Sequence, residues 1–192
     1  SISSVLVRAG VGRVRVVDRD VVEMGNLHRQ LLYYEDDVAP GRPKAELAAG
    51  RLRRANSNVQ VEHRVLKMDA GNIEELVADV DVVVDGTDNF EIRYIINDAC
   101  VKLGKPWIYG GVLGTSGMVL AILPGDGPCL RCIFPTPPVP GTLPTPETRG
   151  VLGSLPVVIG AVQATRALSL LVGHEPVREL ININLWDGAH QA

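Results

Sequence analysis

Apolar and polar positions fall into short blocks along the chain, and each block predicts an element. Residues 1–8 read as the tail of a helix, closed by Ala9-Gly10-Val11-Gly12, since glycine suits a helix C-terminus. The β-branched run 14–17 predicts a short strand ending at Asp18. Residues 18–30 are polar without a clean period and read as a loop with short helical turns. Pro40-Gly41-Arg42-Pro43-Lys44 precedes a helix reaching about residue 55, because proline near a helix start gives up only an N–H that had no partner. Residues 59–65 alternate like a strand, and 72–78 predict a helix with Asn72 as N-cap. Asp81-Val82-Val83-Val84 has the pattern of a parallel strand covered on both faces. A polar turn, Asp85-Gly86-Thr87-Asp88-Asn89, follows it and leads into a helical pattern over 90–103. Strands at 106–109 and 117–123 come next. After them lie a Pro/Gly/Thr-rich exposed crossover (124–150), an apolar helix (154–172) and a late strand (179–186).

Alternating strands and helices imply an α/β layered fold with a mostly parallel central sheet. Within it, residues 1–18 run helix, turn, strand, acid. That is the second half of a dinucleotide-type βαβ unit, a Rossmann-like arrangement in which the acid meets a ribose hydroxyl. The strand and Gly-rich phosphate loop that should come first do not occur in residues 1–192: either the chain is truncated or the protein has lost the loop, and the expectation is one domain, 1–192, truncated at both ends. The 85–89 turn falls at a strand's carboxyl end, where open α/β sheets bind ligands. Its two carboxylates and amide suit a metal-bound phosphate. The simpler alternative is that Asp88 or Asn89 only caps the next helix.

Composition narrows the classes. A chain of 192 residues is about one domain, and 46% apolar with 21% charged residues is ordinary for a soluble globule. A net charge of −3 provides no basic field, so nucleic acid is not an expected partner. The stretch 151–173 is about long enough to cross a bilayer. Gln163, Thr165, Arg166 and Ser169 interrupt it, so a packed helix and no membrane are expected. The N-terminus lacks the basic, apolar, small-residue order of a signal peptide, and three cysteines are too few for a disulfide scaffold. A cytoplasmic location follows from both.

A series of motifs then occurs in order. It comprises Val17-Asp18-Arg19-Asp20-Val21-Val22-Glu23, Asn26-Leu27-His28-Arg29-Gln30, Gly41-Arg42-Pro43-Lys44, the 85–89 turn, Cys129-Leu130-Arg131-Cys132, Gly150-Val151-Leu152-Gly153 and Ile159-Gly160-Ala161-Val162-Gln163-Ala164. The series resembles the MoeB/ThiF family, bacterial relatives of ubiquitin-activating enzymes, over nearly the whole chain. The resemblance implies an adenylyltransferase that consumes ATP and magnesium to activate the C-terminal Gly-Gly of a small ubiquitin-like sulfur carrier, releasing pyrophosphate. It also implies a homodimer. By the same match Arg29 and Lys44 would contact the triphosphate, Asp88 would hold magnesium and Asp18 would accept from the ribose. Asp20, Asn26, Gln30 and Asn89 would be further nucleotide contacts.

The residue types suit that chemistry. The attacking carboxylate and the triphosphate are both anions, so catalysis is mainly positioning plus fixed positive charge. Arginine's fork can engage phosphate oxygens in pairs, while magnesium prefers one or two carboxylates and several waters. Cys129 and Cys132 have the spacing of half a tetrahedral zinc site, with a redox pair as the rival. The resemblance places a second pair beyond residue 192. Thioester-forming members carry a cysteine shortly before Gly150, where this chain has Thr145-Pro146-Glu147-Thr148-Arg149, so activation is expected to stop at the acyl-adenylate. The four histidines share no ligand spacing. Two rival classes remain. A pseudoenzyme that scaffolds a partner has no use for Arg29, Lys44 and Asp88. A nicotinamide oxidoreductase accounts for Asp18 alone.

Overall fold

The computed structural model describes residues 1–136, 146–175 and 177–191, and the chain divides into two compact units, Ser1–Met68 and Asp69–Ala192. The first is a βαβ arrangement with a preceding helix: α1 (Ile2–Arg8), β1 (Arg13–Val17), α2 (Lys44–Ala55) and β2 (Gln60–Arg64). β1 and β2 pair in parallel, with Val14 opposite Val61 and Val16 opposite His63. Leu6, Val7, Val14, Ala45, Ala48, Ala49, Leu52 and Val61 form its core. The alanines on one stripe of α2 let the helix lie close to its neighbours. The Asn56 amide donates to the Val7 carbonyl at 3.0 Å, tying the end of α2 to α1. α1 ends as its sequence predicts, with Gly10 at φ +85° just past the last turn.

The second unit holds α3 (Ile73–Ala78), β3 (Val83–Val84), α4 (Phe90–Leu103), β4 (Trp107–Leu113), β5 (Ser116–Ile122), α5 (Leu130–Ile133), α6 (Pro146–Arg149), α7 (Leu155–Leu171), β6 (Ile181–Asn184) and β7 (Ala189–Gln191). Its sheet runs β3-β4-β5-β6-β7, and α7 packs on β4 and β5. Ile159 and Gln163 of α7 sit over Gly117 and Gly110. α7 is the apolar helix read at 154–172, and among the described residues no helix is long and apolar enough to cross a membrane.

The Rossmann-like α/β class stands, but the sheet is mixed rather than mostly parallel. Parallel pairing is found in β1–β2 and β3–β4, while β4–β5, β5–β6 and β6–β7 are antiparallel. The cause is connection length. Only Gly114, at φ +60°, and Thr115 separate β4 from β5, whereas a parallel return needs a crossover of a dozen residues or more. β3 is also shorter than the apolar run 81–84 and forms one edge of its sheet, so Val83 and Val84 are half-buried. The expected loop 124–150 contains the short helices α5 and α6, and its stretch 137–145 lies outside the described residues. Asn72 is at the N-cap position of α3, yet its side chain accepts from the Asp69 N–H at 3.0 Å instead of capping.

Candidate functional site

In the first unit the candidate groups gather where β1 ends. The Asp18 N–H continues the ladder to the Arg64 carbonyl at 3.1 Å, and the Asp18 carboxylate accepts from the Asp20 N–H at 2.9 Å. Val21 bridges to Pro43, and the Lys44 N–H donates to the Asp20 carbonyl at 2.8 Å. These main-chain links bring Asp18, Asp20 and Lys44 together.

Lys44 is the first residue of α2, and its side chain is only 8% exposed. Among the described residues its single ion pair is with Asp20, at 4.0 Å, and the Asp20 side chain is 55% exposed. A buried cation at the positive end of a helix is doubly unfavourable: burial strips its water, and the helix dipole opposes it. The same arrangement concentrates positive potential and N–H groups, which is what an anion requires.

Arg29 follows the 3-10 turn Met24–Asn26. Its guanidinium donates to the Gly25 carbonyl at 3.0 Å, as does its own N–H to the Asn26 carbonyl at 3.1 Å. Near it in the chain, Asn26 Oδ1 and Gln30 Oε1 are shielded from solvent and have no hydrogen-bond partner among the described residues. A buried acceptor left unpaired costs about 1–3 kcal/mol, and such groups in folded proteins call for a partner from outside the chain.

In the second unit the 85–89 turn separates into a buried half and an exposed half. Asp85, 2% exposed, is not available to a ligand. Its Oδ2 accepts from Arg93 Nε at 2.9 Å, and its Oδ1 accepts from the Thr87 N–H at 2.8 Å and the Thr87 hydroxyl at 2.7 Å. Arg93 Nη2 also donates to the carbonyls of Thr87 at 2.6 Å and Gly110 at 3.0 Å. The Gln163 amide donates to the carbonyls of Asp85 at 2.8 Å and Ile108 at 3.2 Å. Asp88 is exposed. Asn89 caps α4, its Oδ1 accepting from the Ile92 N–H at 3.0 Å, and its amide donates to Asp88 Oδ1 at 3.1 Å. Asn89 is thus the cap that the simpler reading expects, and Asp88 is left facing solvent.

Cys129 and Cys132 flank the start of α5 with their sulfurs 3.6 Å apart. That is well beyond a disulfide of about 2.05 Å. It is close to the edge of about 3.8 Å of a tetrahedron drawn with Zn–S bonds of about 2.3 Å. Burial raises the Cys129 thiol, but hydrogen bonds from the Cys132 backbone and thiol, the Arg131 backbone and the Asn97 side chain outweigh it and hold the thiol below its ordinary value. Cys100 lies buried in α4, its thiol pushed up to about 12 by burial, and is no third ligand. Among the described residues no group of three or more His, Cys, Asp or Glu side chains can hold a metal. The thiol turn is fastened to α4: the Leu130 N–H donates to Asn97 Oδ1 at 2.9 Å, Arg131 pairs with Asp98 at 2.6 Å, and the Tyr94 hydroxyl donates to the Phe134 carbonyl at 2.7 Å.

Sequence reasoning missed Arg93 and used Gln163 only as part of a motif. The available signal was polarity on a buried helix face: Arg93 and Asn97 in α4, Gln163 and Arg166 in α7, all 6% exposed or less.

A first unit with polar groups at the end of β1 in a βαβ arrangement, and a second unit with a polar turn after β3 of an α/β sheet, are those of a Rossmann-like α/β protein. The chain belongs to the ThiF family, whose sequence profile matches residues 1–192. It is similar to the sulfur carrier protein ThiS adenylyltransferase of Bacillus subtilis, with 45% identity over 96% of this chain and 54% of that protein. It is also similar to the SAMP-activating enzyme E1 of Haloferax volcanii, with 48% identity over 87% of this chain and 61% of that one. The chain thus spans a little over half the length of these curated relatives. Among solved structures, E. coli MccB with MccA-N7isoASN superposes with a TM-score of 0.85 at 23% identity, covering 99% of this chain and 59% of that one, a likeness of fold.

Proposed function

We propose that the protein uses ATP to adenylate the C-terminal carboxylate of a small ubiquitin-like sulfur carrier ending in Gly-Gly. The observation that carries this reading is the 45% identity, over 96% of the chain, to a protein named as a sulfur carrier adenylyltransferase. In the reaction a carboxylate oxygen forms a bond to the α-phosphorus, the bond from phosphorus to the β-phosphate oxygen breaks, and pyrophosphate leaves. Lys44 and Arg29 offset the charge of two anions brought together, which fits the near-unpaired burial of Lys44. Asp18 accepts from the ribose. Asn26 and Gln30 offer their unpaired carbonyl oxygens to nucleotide donors. Asp20 steadies Lys44, and Asn89 steadies Asp88.

Magnesium suits the exposed Asp88 carboxylate, since this ion takes one or two carboxylates and keeps several waters. When bound it would neutralise phosphate charge. Zinc suits the Cys129–Cys132 pair as two of four ligands and would have a structural role. A homodimer and a cytoplasmic location complete the proposal, the latter supported by three free thiols. With no thiol in 145–149, the product is the acyl-adenylate rather than a thioester on that segment.

The test is ATP–pyrophosphate exchange with magnesium and a Gly-Gly-ending carrier. Carrier-dependent exchange that is lost in Asp88→Ala is the expected result. Carrier binding with no exchange in the wild type would refute adenylation and favour a pseudoenzyme.

A further inference from the structure

We infer that Arg93 is a positioning residue for Asp88: it fixes the 85–89 turn so that the Asp88 carboxylate is presented to a divalent cation. The cation half of this inference rests on the reading of Asp88 given above. Arg93 is only 6% exposed. It acts through Thr87, the residue before Asp88. Every polar group of Thr87 is held. Its N–H and hydroxyl bond to Asp85 Oδ1 at 2.8 and 2.7 Å, and its carbonyl accepts from Arg93 Nη2 at 2.6 Å. The Asp85 carboxylate that takes the first two is in turn paired with Arg93 Nε at 2.9 Å. On the other side of Asp88, Asn89 is fixed as the cap of α4. Asp88 therefore sits between two immobilised residues while its own side chain stays exposed.

The arrangement requires arginine rather than a positive charge in general. One planar fork reaches the Asp85 carboxylate, the Thr87 carbonyl and the Gly110 carbonyl in fixed directions. The rings of Phe90 and Tyr109, with centroids 5.5 and 5.4 Å from the guanidinium carbon, hold its plane. Lysine would keep the charge opposite Asp85 but cannot serve all three acceptors. Arg93→Lys thus separates fold from positioning.

The experiment uses the full chain with Mg²⁺ and ATP as probes. Amide exchange in Arg93→Lys is expected to speed up at residues 86–89 while β4 and β5 keep their protection. The Mg²⁺ concentration that half-saturates ATP binding is expected to rise about 10–100-fold, the range seen when a group orienting a metal ligand is removed. Saturating Mg²⁺ should restore most of the binding. Thr87→Val, which removes only the hydroxyl bond, should shift the same quantity in the same direction by less. Unchanged amide exchange at 86–89, or ATP binding that weakens equally at every Mg²⁺ concentration, overturns the positioning role. A wild-type chain whose ATP binding ignores Mg²⁺ refutes the reading of Asp88 instead, and amide exchange then decides alone whether Arg93 holds the turn.

Discussion

The loop 18–30 and the turn 85–89 draw on the same residue types and treat them in opposite ways. In the loop, Asn26 and Gln30 keep buried oxygens unpaired, and Lys44 beside it is buried against one distant carboxylate. In the turn, Asp85 and Arg93 satisfy each other and four main-chain or hydroxyl groups, and Asn89 is spent on a cap. Arginine, aspartate and asparagine are thus no guide to function by type. What separates a group poised for a ligand from one that holds the chain is the number of partners it has once buried.

That contrast can be broken most forcefully at the buried pair. Arg93→Leu leaves Asp85 as an uncompensated charge and should lower stability by about 3–5 kcal/mol, read as a drop in the urea midpoint. A loss below about 1 kcal/mol would show the turn to be far less committed than its bonds indicate. Asp88→Ala should do the reverse. Exchange activity falls about 10²–10³-fold, and the urea midpoint stays within about 0.5 kcal/mol of wild type, as for an exposed substitution. Lys44→Met is expected to abolish tight ATP binding without loss of stability, because it removes a buried cation from the positive end of α2.

Gly110→Ala comes next in size. Its Cβ would collide with the Gln163 amide, and overpacking of this kind costs about 1–3 kcal/mol. The smallest effect is a pH dependence in the first unit. The Arg51 guanidinium bonded to it at 2.8 Å holds the Asp37 carboxyl below its ordinary range. A carboxyl with a depressed folded pKa contributes stability in full above its unfolded value of about 3.9 and loses it as pH falls through the folded one. Asp37→Asn should therefore flatten the acid limb of the stability curve below about pH 4 and leave Asp88-dependent activity at neutral pH unaltered.

Much of the fold could be read from the chain because local pattern and burial agree there. The helix at 90–103 matches α4 to the residue, and β1, α2 and α7 lie within a residue or two of expectation. The turn chemistry was harder. β7 depends on the Asp187-Gly188 signal, with Gly188 at φ +66°, and on pairing with β6 rather than on its own three residues. The candidate site was legible in outline. Lys44, Asp18 and Asp20 do cluster, and Asp88 is accessible. The division of labour within Asp85-Gly86-Thr87-Asp88-Asn89 was not legible, because it is set by Arg93 eight residues on and Gln163 seventy-eight residues on. A partner that distant leaves no local period to detect.

The contact between Gly110 and Gln163 also bears on how such a chain can change over generations. With no space for a methyl group at 110 and the amide at 163 holding two strand carbonyls, neither position can drift alone. An alanine at 110 becomes tolerable only after 163 has shortened, and a shortened 163 leaves the Asp85 and Ile108 carbonyls without that donor. The two sites, 53 positions apart in the chain, should be inherited as a unit. Mutant libraries that vary them independently should recover almost none of the mixed combinations.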